Sequence, residues 1–274
     1  MTQELLTERR GRVLYLTIHR PQRRNALTAG VMVALRNAIA QASDDRQVRA
    51  IVLTGSGERA FCAGADLQTG QSFVFDHSEP CQPAADLFRT ARRAQVPLIA
   101  RVNGACMAGG MGLLAMCDMA VAAPHAVFGL PEVKVGVFPA QVLSVLQNLI
   151  PRRALNELSL TGEPVSAARA LEMGLVNHVA EDLDAKLDWL LGRLLDKSPA
   201  AIRRGLYTLK HVEGLPFESS MAFTESQIAL FALTDDAREG QLAFRERREP
   251  RWPDERAAQA SWPAEGCSYR SRNP

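Results

Sequence analysis

Two segments crowded with small residues hold the sequence's clearest chemical potential. They are FCAGADL (Phe61–Leu67) and NGACMAGGMGLLAMCD (Asn103–Asp118). Each follows an apolar run and leads towards an expected helix start. Small residues let a ligand approach the backbone closely, and a helix start leaves N–H groups without intrahelical acceptors. Two such ends brought together make a pair of donors suited to an oxyanion. The same glycines could instead serve only tight strand–helix packing, and for either segment alone that reading carries more weight. A phosphate loop fits poorly, because neither segment has the GxxxxGK[ST] lysine or a well-placed GxGxxG followed by a ribose-binding acid. The histidines (His19, His77, His125, His178, His211) lack metal-ligand spacing, so no metal is expected. Asp118 closes an apolar run and reads as a structural acid. The arginine pairs 92–93, 152–153 and 203–204, with Lys210, could meet phosphates but fit solvated helix faces equally well.

The elements that must position these segments alternate. Arg12–Ile18 is rich in strand formers and stops at Arg20-Pro21, and Thr28 then reads as an N-cap ahead of Val31, Leu35, Ala38 and Ala42 at helical spacing. Ala50–Gly55, Pro97–Val102 and Met119–Ala123 are continuous apolar runs of the kind buried parallel strands require. Repeated strand–helix units predict an α/β domain with largely parallel pairing. After about residue 198 the strands stop. Helices are predicted over Pro199–His211, Phe217–Leu233 and Asp235–Arg247, separated by Gly-Leu-Pro and Thr-Asp-Asp breakers. The expected organisation is a core over 1–197, a helical subdomain over 198–252 and a loosely ordered tail over 253–274.

With 274 residues, 47% of them hydrophobic, the chain can bury a substantial core, and a net charge of +2 gives no reason to expect nucleic acid as a partner. The five cysteines form no CxxC pair, which fits a reducing cytoplasm. The first residues lack a secretory h-region, and the most apolar stretch, 102–117, is too short and too rich in glycine to span a membrane.

Six stretches together resemble the crotonase family, the enoyl-CoA hydratase/isomerase superfamily. They are HRPQRRNAL (His19–Leu27), LTGSGERAFCAGADL (Leu53–Leu67), PLIARVNGACMAGGMGLLAMCDMAVAA (Pro97–Ala123), FGLPEVKVGVFP (Phe128–Pro139), LTGEPVSAARALEMGLVNHV (Leu160–Val179) and DDAREGQLAFRERREPRW (Asp235–Trp252). The resemblance runs from about residue 10 to 252. It implies an α/β ClpP-like spiral core of repeated ββα units, a helical C-terminal region, and assembly as homotrimers or pairs of trimers. It implies no metal or redox cofactor, with coenzyme A entering as part of the substrate. Carried over by position, Ala65 and Gly109 supply the oxyanion-hole N–H donors, Ala63 and Gln68 lie near the CoA nucleotide, and Glu132 is the general base.

The same resemblance puts Gly112 where ordinary hydratases carry their first catalytic glutamate, because the segment reads Gly-Gly-Met-Gly over 109–112. Two-glutamate hydration cannot run unchanged on such a site. Three readings remain. One is a variant hydratase similar to the bacterial methylglutaconyl- and isohexenylglutaconyl-CoA hydratases, which tend to carry a small residue at the Gly112 position and share a segment like GVFPAQVLSVL (Gly136–Leu146). Another is a Δ3,Δ2-enoyl-CoA isomerase working with one glutamate, and the last is a non-catalytic CoA-ester-binding module. Dienoyl-CoA isomerases and haloaryl-CoA dehalogenases fit less well, since they carry an aspartate where this chain has Phe138, Pro139 and Ala140. Asp76 and Glu79 are weak candidates for a substitute carboxylate.

Overall fold

The computed structural model describes residues 3–66, 78 and 80–252. In chain order the strands are β1 (Leu5–Arg10), β2 (Val13–Ile18), β3 (Ala50–Gly55), β4 (Ala60–Cys62), β5 (Leu98–Val102), β6 (Ala105–Met107), β7 (Met119–Ala122), β8 (Val127–Gly129), β9 (Val165–Ser166) and β10 (His178–Val179). The helices are α1 (Ala29–Asp44), α2 (Pro83–Arg93), α3 (Gly109–Ala115), α4 (Ala140–Leu146), α5 (Arg152–Thr161), α6 (Ala167–Glu172), α7 (Leu183–Leu195), α8 (Pro199–Val212), α9 (Phe217–Ala232) and α10 (Asp235–Glu246).

Two sheets carry the core. The larger has the order β1-β2-β3-β5-β7-β10 and is parallel apart from the antiparallel β1–β2 pair. The smaller has the order β4-β6-β8-β9 and is parallel apart from β8–β9. Pairs β3/β4, β5/β6 and β7/β8 each send their first strand into the larger sheet and their second into the smaller. Each pair lies beside the one before, which is the spiral of ββα units the resemblance implied.

Every residue of β3 is buried, as its unbroken apolar run requires. Because strand side chains alternate, Ile51 and Leu53 join the main core with α1 and α2, while Ala50 and Val52 face the other way onto Leu187, Leu190 and Leu191 of α7.

Helix α9 starts where Gly-Leu-Pro ends, and α10 starts inside Thr-Asp-Asp with Thr234 as its cap. Ser198 caps α8 by accepting from the Ala201 N–H and donates to the buried Asp236 carboxylate at 2.6 Å. Arg203 of α8 donates to the carbonyls of Ser43, Asp45 and Val48 at the end of α1, so the helical region is tied directly to the core. The tail over 253–274 lies outside the described residues. Among those described, no helix is long and apolar enough to cross a membrane.

Candidate functional site

The two small-residue segments do meet. The second begins directly after β5 of the larger sheet, as its apolar run predicted, and contains β6; the first is separated from β3 by a turn and begins inside β4, a three-residue strand of the smaller sheet. The β4–β6 pairing therefore lays the segments side by side. Gly64 sits at φ +93°, and a Cβ there would lie 2.6 Å from the Ala108 Cβ. A Cβ on Gly110 would lie within 3.0 Å of the Cys62 Cβ and closer still to the Cys62 carbonyl. These two glycines serve close packing. Gly109 does not: the nearest neighbours of a Cβ there would be Leu27 at 3.4 Å, Gly64 at 3.7 Å and the Ala65 nitrogen at 3.8 Å.

Local geometry leaves the Ala65 and Gly109 N–H groups outside the backbone pairing around them. Leu27 pairs with Ala65 in a parallel bridge, donating to the Gly64 carbonyl at 2.7 Å and accepting from the Asp66 N–H at 2.9 Å. In such a bridge the central residue's own N–H points away from its partner, and Ala65 is exposed between buried Gly64 and Asp66. Gly109 opens α3, so its N–H has no carbonyl in the preceding turn to bind. Ala108 holds the turn at φ +52° and ψ −122°, sparsely populated for a residue with a Cβ, and is fixed by donating to the Gly129 carbonyl at 2.9 Å.

A third element brings the carboxylate. The 3-10 turn Pro131–Val135 begins with proline and ends at Gly136 in the left-handed region. Glu132 lies in its first turn, half-buried, with Oε2 fully buried and without a hydrogen-bond partner. Burial pushes its carboxyl above the usual glutamate range. Ala63, Ala65, Gly109 and Glu132 all line one cavity of about 450 Å³, whose remaining wall is mainly apolar and includes Leu27, Leu87, Phe88 and Leu113. Among the described residues lining it, Glu132 is the sole carboxylate, and the Lys134 ammonium is paired with Glu163 at 2.7 Å.

Gly112 lies just behind this wall. A Cβ built on it would come 2.5 Å from Cζ of Phe88 and 3.3 Å from Cγ2 of Val142. The Phe88 ring of α2, an aromatic group and not a second carboxylate, thus occupies the space beside Gly112. Gln68, Asp76 and Glu79 lie outside the described residues.

Other sequence candidates are engaged elsewhere. Asp118 accepts from the Leu98 N–H at 2.8 Å and pairs with Lys210 at 3.2 Å, a structural role. Burial pushes its carboxyl up, while Lys210 and the Leu98 N–H pull it down. Lys210 also donates to the Ala91 and Ala94 carbonyls, and Arg92 pairs with Glu213. His19 bonds Ser56, and His125 faces the carbonyls of Glu58 and Asn103.

Sequence reasoning missed the residues that hold the Ala65 loop. Arg20 forms an ion pair with Asp66 at 2.7 Å and reaches Glu4 at 2.8 Å. The buried amides of Asn25 and Asn103 bind the Ala60 and Gly55 carbonyls around the β3–β4 turn. Arg20 and Asn25 belong to HRPQRRNAL, so the motif was visible although their positioning role was not.

Comparison with known proteins agrees with this architecture. The family model described as "Enoyl-CoA hydratase/isomerase" matches residues 8–255. The chain is 36% identical over 257 residues to enoyl-CoA hydratase EchA19 of Mycobacterium tuberculosis, covering 90% of this chain and 95% of that protein. It is 32% identical over 252 residues to 2,3-dehydroadipyl-CoA hydratase of Escherichia coli, covering 90% and 97%. A crystal structure of an enoyl-CoA hydratase from Mycobacterium smegmatis superposes with a TM-score of 0.84 at 35% identity, covering 91% of this chain and 99% of that one. Fold, cavity and sequence agree: the chain belongs to the enoyl-CoA hydratase/isomerase family.

Proposed function

We propose that the protein hydrates a 2-enoyl-CoA thioester with Glu132 as its one catalytic carboxylate. The observation that carries the reading is Glu132 itself: an unpartnered carboxylate oxygen in an apolar cavity that also holds Ala65 and Gly109. In the proposed reaction the thioester carbonyl oxygen lies between the Ala65 and Gly109 N–H groups. Glu132 takes a proton from water as the oxygen bonds to the β-carbon, and the double-bond electrons move onto the thioester oxygen. The two N–H donors stabilise that enolate without reorganising. Glu132 then returns the proton to the α-carbon as the enolate collapses. A base of raised pKa suits both transfers.

In this reading Ala63 lies along the path of the CoA moiety; Gln68, the other candidate for that role, lies outside the described residues. The acyl group is branched, of the methylglutaconyl or isohexenylglutaconyl kind; supporting this are Phe138 and Val142, which put the Gly136–Leu146 segment on the cavity wall. The reaction needs no metal or redox cofactor. A cytoplasmic location agrees with the free, buried Cys62, Cys106 and Cys117. The working assembly is a homotrimer or a pair of trimers.

A second reading, Δ3,Δ2-enoyl-CoA isomerisation, is favoured by one observation: the Phe88 ring beside Gly112 leaves a single carboxylate to shuttle a proton between two carbons. Mass spectrometry on crotonyl-CoA, a branched glutaconyl-CoA and a 3-enoyl-CoA separates the two. The hydratase reading expects a product that gains the mass of water. Conversion without mass change points to the isomerase, and tight binding of every ester without conversion points to a binding module.

A further inference from the structure

The site cavity is not the largest hollow in the molecule. A second one, of about 820 Å³, lies beyond it between α2, the end of α3, α4 and α8. Ala115, Met116, Val145 and Leu149 give it an apolar strip, while Arg89, Arg92, Arg93, Asp118, Lys210 and Glu213 make the rest of its wall largely charged. Phe88 and Gln141 line both cavities. The partition between them therefore includes the buried Phe88 ring, which packs against Gly112.

Gly112 has no positive φ that would call for glycine, and it lies inside α3. Glycine within a helix is less favourable than alanine. What a side chain at 112 would meet is the Phe88 ring, 2.5 Å from a Cβ, which requires one of the two to move. The missing side chain is therefore matched to the ring.

We propose that Phe88, seated on Gly112, is the chain-length gate of this protein: it closes the acyl end of the site cavity and shuts the second cavity to the substrate. The proposal rests on the reading of the site as an acyl-CoA site. Removing the ring joins the two cavities and lets a longer acyl chain reach the apolar strip of Ala115, Met116, Val145 and Leu149. Short chains end before the ring and gain no added contact from its removal.

The test is calorimetric binding of butyryl-, octanoyl- and dodecanoyl-CoA to the wild-type, Phe88→Ala and Phe88→Leu proteins. These saturated esters bind without turnover, and thermal melts check that each variant is folded. Phe88→Leu serves if the alanine variant does not fold. The expected result is a wild-type preference for the short ester and a gain of about tenfold or more for dodecanoyl-CoA in the variant, as burial of two or more further methylenes would give. A wild-type protein that binds none of the esters would remove the acyl-CoA reading and the gate with it. Wild-type and folded variant proteins that bind the series with the same length preference would overturn the gate and leave the acyl-CoA reading standing.

Discussion

A carboxylate with one oxygen buried and unpartnered is costly to ionise, and Glu132 is in that position, its own backbone N–H offsetting only part of the cost. The consequence for stability has a definite sign. Burial raises the folded-state pKa above that of the unfolded chain, so below the ordinary glutamate range both states are protonated and stability is unaffected. As pH rises, the unfolded chain releases its proton first and stability falls, until the folded pKa is passed. Glu132→Gln abolishes that loss. Across this window the melting temperature of the variant is expected to rise relative to wild type with increasing pH, measured by thermal denaturation in matched buffers. Activity has the opposite dependence: kcat is expected to climb through the raised pKa, placing its acid limb above the usual glutamate range. Most of this residue-scale account was legible in the sequence, because Pro-Glu in GLPEVKVG and the Gly-Gly of 109–110 sit in recognisable motifs. The occupant of the space beside Gly112 was not. Phe88 reaches it from α2, and no local pattern connects residues 88 and 112.

At the scale of elements, the Ala65 loop depends on a contact between distant parts of the chain. The Arg20–Asp66 pair is only 12% and 7% exposed, and Arg20 also donates to the Ala26 carbonyl. Removing one partner of such a pair leaves the other charge buried. Arg20→Ala is expected to cost about 3 kcal/mol of stability, read by urea denaturation, and to lower kcat through a loosened Ala65 N–H. The helices with strong start signals were readable: Thr28, Ser198 and Thr234 each cap α1, α8 and α10 with a side-chain oxygen. Predicted ends of α9 and α10 lie within one residue of those observed. The long buried strands were readable for the same reason, since their apolar runs are continuous. Strands β4, β6 and β8 have only three residues each, too few to show a period, and their pairing joins residues far apart in sequence. The smaller sheet was therefore invisible to local patterning, although it is what lays the two small-residue segments together.

At the scale of the whole molecule, the C-terminal helices leave much apolar surface uncovered. Leu209, Phe217, Ile228, Leu233 and Phe244 are exposed, Phe244 by 86%. A folded chain rarely leaves so many large apolar side chains to water in one region unless another surface covers them. Light scattering after size exclusion is expected to give three or six times the chain mass, and Ile228→Glu with Phe244→Glu to give smaller species; a wild-type protein running as one chain would contradict this assembly. The central claim, that one carboxylate in an apolar cavity does the acid–base work, is tested most directly by the turnover of Glu132→Gln on the ester that wild type converts. A folded variant with kcat reduced about 100-fold or more is the expected result. A variant that turns over at the wild-type rate would show that the proton is carried by another group, and the account would fail.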